Sequence, residues 1–166
     1  MKVNIALLTV TDTRTIDNDK SGAILVEKIK LANHNLIDRK ICKDNKDDII
    51  PILKEWIKKD NIDVVITTGG TGLTGRDITP EAIDQIADKQ IPGFGELFRN
   101  LSLKTVGTSA IQSRACAVLA NGKYLFALPG SSGGVTDAWE GILKHQLDVN
   151  HKPCNFVELF PRLKEK

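Results

Sequence analysis

The sequence predicts an α/β fold: a mainly parallel sheet with helices on both faces. Three observations carry this. Short apolar, β-branched runs alternate with segments of helical period through most of the chain. Two of those runs end directly in glycine-rich turns, at Gly69-Gly70-Thr71-Gly72 and at Pro129-Gly130-Ser131-Ser132-Gly133-Gly134. One tight-turn signal, Asn121-Gly122, introduces an antiparallel neighbour, so the sheet is mixed.

In chain order, Val3 to Val10 is apolar and β-branched and reads as the first strand. Ser21 to Asn33 carries Leu25, Val26, Ile29 and Ala32 at helical spacing. Leu36 to Cys42 alternates weakly and reads as the second strand. Asn45 to Lys59 places Ile49, Ile52, Leu53, Trp56 and Ile57 on one stripe, an amphipathic helix. Ile62 to Thr68 is apolar enough to be a strand buried on both faces. Thr79 to Asp88 is a short helix, with Thr79 suited to its N-cap and Pro80 to its first position. Phe94 to Leu103 follows as a helix behind Pro92. Arg114 to Leu119 and Lys123 to Leu128 flank the hairpin turn. Val135 to Leu147 is the last helix, and the tail from His151 is expected to be extended and to cover another subunit.

A chain of 166 residues fits a single domain, residues 1–166. Its net charge is only +2 and it has one tyrosine, so neither a nucleic-acid surface nor a base-stacking platform is supported. No apolar run approaches the roughly 20 residues needed to span a bilayer. The opening MKVNIALLTVTD turns polar too soon for a signal peptide. Cys42, Cys116 and Cys154 are odd in number and far apart, which predicts reduced thiols in a cytoplasmic protein rather than a zinc or redox pair. His34, His145 and His151 have no metal-ligand spacing and read as structural or solvated.

The chemistry-bearing stretch is VVITTGGTGLTGRDITPEA, Val64 to Ala82. Glycines directly after a buried strand let backbone amides approach a bound phosphate. A carboxylate a few residues on is placed to hold a magnesium ion that bridges phosphates. Gly70 to Asp77 fits the frame of a P-loop but fails it twice, with Arg76 for the lysine and Asp77 for the hydroxyl residue. Asp77 therefore has two readings: a turn-closing side chain ahead of Thr79, or a magnesium ligand. Asp44, after the second strand, is either an N-cap shared with Asn45 or a second metal-side carboxylate. Asp12 ends the first strand in the same way. Gly130 and Ser131 lie in the second glycine-rich loop. That loop either caps a helix or forms a second phosphate cradle, with the Ser131 hydroxyl donating to phosphate. In an open α/β sheet all these strand ends face one crevice. Glu96 and Arg99, three apart on one helical face, are spaced to pair at a surface or between subunits.

TTGGTG, RDITPEA, PGFGELFR, TSAIQSRA and LPGSSGG, together with DKSG at Asp19 to Gly22, resemble the MoaB/MogA family of molybdenum cofactor biosynthesis proteins. The matches run in order over nearly the whole chain. The resemblance implies a three-layer α/β/α molybdopterin-binding fold and homotrimers or homohexamers. MogA-type members and the related G domain of gephyrin transfer the adenylyl group of ATP to molybdopterin with magnesium. Carried over by motif, Gly69, Gly70, Thr71 and Gly72 would hold phosphate, and Gly130 and Ser131 would bind substrate, Ser131 at the pterin phosphate or the dithiolene end. The same resemblance implies that Asp77 and Asp44 are the catalytic aspartates and would hold magnesium. Leu73-Thr74-Gly75 departs from MogA-type chains, which more often carry an aromatic, a small residue and proline there, and the ending KPCNFVELFPRL, with the compact length, resembles the MoaB type. That type leaves a non-catalytic molybdopterin-binding or scaffold protein as the alternative function.

Overall fold

The computed structural model describes residues 1–165. Its sheet has six strands: β1 Asn4–Val10, β2 Asn35–Cys42, β3 Val64–Thr68, β4 Lys89–Gln90, β5 Cys116–Ala120 and β6 Lys123–Leu128. They lie in the order β2-β1-β3-β6-β5-β4. β1 pairs in parallel with β2 and β3, and β3 with β6. β5 runs antiparallel to both β6 and β4. The mixed, mostly parallel sheet is as the sequence predicts.

Period-two alternation sorts the strand side chains to two faces. Ile5, Leu7, Val64, Ile66 and Phe126 face one cluster, together with Leu25 and Ile29 of α1 (Lys20–Leu31) and Phe94 and Phe98 of α4 (Pro92–Val106). The last helix adds Val135, Trp139 and Leu143; it runs as α5 (Ser132–Ala138), a π-helical stretch (Trp139–Leu143) and α6 (Lys144–Gln146). Ala6, Leu8, Val65 and Leu125 face the opposite cluster, with Ile49, Leu53 and Trp56 of α2 (Lys46–Lys58) and Ala82 and Ile83 of α3 (Thr79–Asp84). The result is three layers, α/β/α. Each large apolar side chain buried this way contributes about 1.5–3 kcal/mol.

The chain leaves β1 through α1 to β2, then crosses back over β1 through α2 to β3. Because α1 follows β1 and α3 follows β3 on opposite faces, the chain leaves the carboxyl ends of these two neighbouring strands in opposite directions. That topological switch point is where open α/β sheets bind ligands.

Several boundaries differ from the sequence reading. β4 was not expected: its two residues are polar and exposed, with no periodicity to reveal them. α4 is longer than Phe94–Leu103 and ends only where Gly107 takes a φ of +60°. α3 stops at Asp84, short of Asp88. The last helix starts at Ser132 because the Ser131 hydroxyl accepts from the Gly134 amide at 3.1 Å and caps it. Asn121 and Gly122 both have positive φ, as the hairpin turn requires.

The tail is not extended. It forms a 3-10 turn, Val157–Arg162, and folds back on β6. The Phe156 ring lies 4.5 Å from Tyr124 between centroids and Phe160 5.8 Å, so these two aromatics extend the core. Among the described residues no helix is long and apolar enough to cross a membrane.

Candidate functional site

At the switch point a cleft of about 430 Å³ opens between the carboxyl ends of the parallel strands. Val10 to Arg14 line it after β1, Asp44 after β2, and Thr68 and Gly69 at the end of β3. Gly130 and Ser131 line it after β6, and Arg76 from the loop before α3.

The two glycine-rich loops meet here, and glycines at the contact keep the approach close. Gly69 has a φ of +103°, and a Cβ on it would collide with the Val10 carbonyl oxygen. A Cβ on Gly130 would stand 3.3 Å from the Gly69 Cα. The Gly69 amide donates to the Leu128 carbonyl at 3.0 Å, and the Thr68 hydroxyl to the Pro129 carbonyl at 2.8 Å, which locks the loops together. The Gly69 amide is thereby committed. Gly72 also has a local role, since its amide supports the Asp77 carboxylate. Among the described residues the Gly70 and Thr71 amides find no acceptor, so these two are the ones left for an anion.

Thr79 is not the N-cap. Ile78 occupies that position without a side-chain bond, and Thr79 is the first residue of α3. Its fully buried hydroxyl donates to the Gly69 carbonyl at 2.9 Å and its amide to the Gly70 carbonyl at 3.0 Å. A hydroxyl that reads locally as a cap is instead a strut under the glycine turn.

Asp44 is not a cap either. Asn45 caps α2, accepting from the Asp48 amide at 2.8 Å. That leaves the Asp44 carboxylate facing the cleft, where its Oδ1 atom is buried without a hydrogen-bond partner. Burial pushes its pKa up, and the Asp77 and Asp12 charges push the same way; the Ile78 amide and Arg76 offset this only in part. A desolvated, unpartnered carboxylate oxygen fits a cation.

Among the described residues no three His, Cys, Asp or Glu side chains gather closely enough to form a metal cage. Magnesium needs none, because it is commonly held by one or two carboxylates plus substrate phosphates and water.

The Asp77 side chain turns back into its own loop. Its Oδ2 accepts from the Thr74 amide at 2.9 Å and the Thr74 hydroxyl at 2.7 Å. It lies against Gly72 rather than in the cleft wall. Burial raises its pKa, but the Thr74 hydroxyl and amide, the Gly72 amide and the Arg114 charge outweigh burial, and the net shift is down. Asp77 is thus held ionised close to Asp44.

Sequence reasoning missed three arginines at or beside the site. Arg14 lines the cleft and donates to the Gly130 carbonyl at 3.1 Å and the Ser21 hydroxyl at 3.3 Å. Arg76 pairs with Asp12 across the cleft mouth. Arg114, from the TSAIQSRA stretch, reaches back 42 positions to the Gly72 carbonyl at 2.7 Å. No local pattern reveals such contacts, because they depend on which strands become neighbours.

The DKSG element is a buried support. Asp19, 2% exposed, caps α1 through the Gly22 amide at 2.9 Å. It also accepts from the Thr9 hydroxyl at 2.6 Å and from Arg39 at 3.0 Å. Burial pushes its pKa up, but those donors prevail and hold it down.

Glu96 and Arg99 form no pair. Arg99 donates to the Ser113 and Ala115 carbonyls at 3.4 and 3.2 Å, because the end of the loop before β5 passes within its reach. Cys42 and Cys116 are free thiols that burial pushes up to about 12 and about 11, and Cys154 is free and exposed.

Comparison with known proteins agrees with this fold. Residues 6–149 match a family model described as "Probable molybdopterin binding domain". The chain is 44% identical over 161 residues to Molybdenum cofactor biosynthesis protein B of Escherichia coli K12, covering 97% of this chain and 93% of that one. A crystal structure of Molybdenum cofactor biosynthesis protein B superposes with a TM-score of 0.89 at 38% identity, over 100% of this chain and 98% of the other. The tungsten cofactor synthesizing protein MoaB from Pyrococcus furiosus superposes with a TM-score of 0.77 at 36% identity, over 87% and 92%. Matched by that model over residues 6–149 and 44% identical to one of its members, the chain belongs to the MoaB/MogA family of molybdenum cofactor biosynthesis proteins.

Proposed function

We propose that this chain is a magnesium-dependent molybdopterin adenylyltransferase of the cytoplasm. A phosphate oxygen of molybdopterin attacks the α-phosphorus of ATP, the bond from that phosphorus to the bridging oxygen breaks, and pyrophosphate leaves. The observation that carries this reading is Asp44 Oδ1, buried and unpartnered beside a glycine turn with two free amides.

Two anions that repel each other must be brought together, so the work of the protein is alignment and charge neutralisation. Gly70 and Thr71 offer amides to a phosphate. Arg14 and Arg76 supply positive charge along the cleft. Ser131, although its oxygen caps α5, retains a hydroxyl proton to donate, and Gly130 keeps the floor of the cleft thin. Asp44 and Asp77 would hold magnesium, which when bound neutralises charge developing on the phosphates.

A carrier that holds molybdopterin without transferring a group is the second reading. The engagement of Asp77 Oδ2 by Thr74, away from the cleft wall, favours it. Formation of adenylylated pterin from molybdopterin, ATP and magnesium separates the two readings.

The same reading includes assembly as a homotrimer or homohexamer. With Phe156 and Phe160 packed on β6, the tail presents only Leu159 as an exposed large apolar side chain among the described residues. Exposed apolar side chains concentrate instead on α4 and the 3-10 turn after it, at Leu97, Leu103, Val106 and Ile111.

A further inference from the structure

The loop between Gly70 and Ile78 is irregular, largely exposed, and carries both the free amides and Asp77. Such a segment has no ladder to hold it, so its shape depends on contacts from outside. Inside the loop, Thr74 and Asp77 bond to each other. Among the described residues, every hydrogen bond that reaches the backbone of residues 71–77 from outside the loop comes from Arg114. Its amide donates to the Thr71 carbonyl at 2.9 Å. Its Nε donates to the Gly72 carbonyl at 2.7 Å, and its Nη2 to the Asp77 carbonyl at 2.6 Å. Its Nη1 pairs with Glu81 in the first turn of α3.

Arg114 does not line the cleft. It lines a separate groove, with Arg99 and Cys116. We propose that Arg114 is a positioning residue for the cleft: one guanidinium, reading three acceptors at once, sets the curvature of the glycine turn and the place of Asp77. The role rests on the adenylyl-transfer reading for its consequence in turnover, though not for its effect on the loop.

The planar fork is what the task requires. Three different nitrogens serve three acceptors: the carbonyls of Gly72 and Asp77, near the two ends of the loop, and the Glu81 carboxylate in α3. A lysine ammonium keeps the charge but has no fixed fork, so it cannot hold the same three groups in register. Charge alone therefore does not restore the loop.

The test compares the full-length protein with Arg114→Lys and Arg114→Gln, by amide hydrogen exchange and by turnover. Exchange at residues 71–77 is expected to speed up at least ~10-fold in both variants while amides of β3 and β6 stay protected. With molybdopterin, ATP and magnesium, kcat is expected to fall about 30-fold and KM for ATP to change less than about 3-fold, because the binding groups remain but are misaligned. Unchanged loop exchange in either variant, or full recovery of kcat in Arg114→Lys, would overturn the proposal. If Arg114→Gln does not fold, Arg114→Lys provides the same two readings. A wild-type protein without turnover would defeat the transferase reading alone, since the exchange result still decides whether Arg114 sets the loop.

Discussion

Asp12 Oδ1 accepts a hydrogen bond from the Asp44 backbone amide at 3.2 Å. This one contact ties the segment after β1 to the segment after β2, while the other Asp12 oxygen pairs with Arg76 from the loop after β3. Three neighbouring strand ends are thereby joined at the cleft mouth. Asp44 is carried in with its carboxylate free to meet a ligand.

That freedom has a sign in stability. The Asp44 pKa is raised by burial and by the neighbouring carboxylates, so its ionisation works against the fold above the ordinary value of 3.8 and not below it. Asp44→Asn removes the penalty and leaves the Asn45 cap untouched. Its melting temperature at pH 7 is expected to exceed that of wild type by about 2 °C, and the gap to close as pH falls through 3.8. Magnesium-dependent transfer is expected to drop at least ~100-fold. Thermal melts at pH 7 and pH 3.5 check the first part; a variant that melts lower than wild type at pH 7 would refute it.

Asp77→Ala keeps the core but releases Thr74 from both of its bonds. Turnover is expected to fall at least ~100-fold, about 2.7 kcal/mol of barrier, with far-ultraviolet dichroism unchanged. A folded variant with a near-normal rate would remove Asp77 from the mechanism.

Gly70 has a φ of +65°, and a Cβ there would collide with the Thr79 hydroxyl and stand 2.9 Å from Asp44 Oδ1. Gly70→Ala is expected to cost about 1–2 kcal/mol of stability through the left-handed backbone. Affinity for ATP with magnesium is expected to weaken at least ~10-fold, because the Gly70 amide moves with its residue. Calorimetric titration beside a urea melt measures both, and unchanged affinity would show the turn to be structural only.

Asp19→Ala leaves Arg39, the Thr9 hydroxyl and the Gly22 amide unpaired in a buried place. The expected cost is about 3 kcal/mol, read as a lower urea midpoint at pH 7. Because the Asp19 pKa is lowered, wild type should surrender this advantage as pH falls below 3.8. An unchanged midpoint at pH 7 would mean the network carries no net stability.

In solution the protein is expected to be a trimer or hexamer, with Leu103, Val106 and Ile111 covered. Light scattering at micromolar concentration gives the mass, and a stable monomer would contradict the assembly.

The elements that the sequence reveals are those whose period is set by burial. The α2 stripe of Ile49, Leu53 and Trp56 packs on one face of the sheet and the apolar run of β3 supplies side chains to both, so their patterns carry over directly. The Asn121-Gly122 turn is visible because only a few residues tolerate its φ values. The positions of Asp44, Gly69 and Gly130 follow from strand ends sharing one edge. What local reasoning cannot reach is side-chain direction over long separations. Thr79 looks like a cap until β3 places the Gly69 carbonyl beneath it. Phe156 and Phe160 look exposed until the tail meets Tyr124. Arg114 is silent because its acceptors lie 37 and 42 positions away.

The most direct test of the central claim is a single incubation of the purified protein with molybdopterin, ATP and magnesium, following pyrophosphate and adenylylated pterin together. The account predicts that the two appear in equal amounts and that neither forms when magnesium is chelated or when Asp44 is replaced by Asn. Tight molybdopterin binding with no pyrophosphate from the wild-type protein would contradict it and establish the carrier instead.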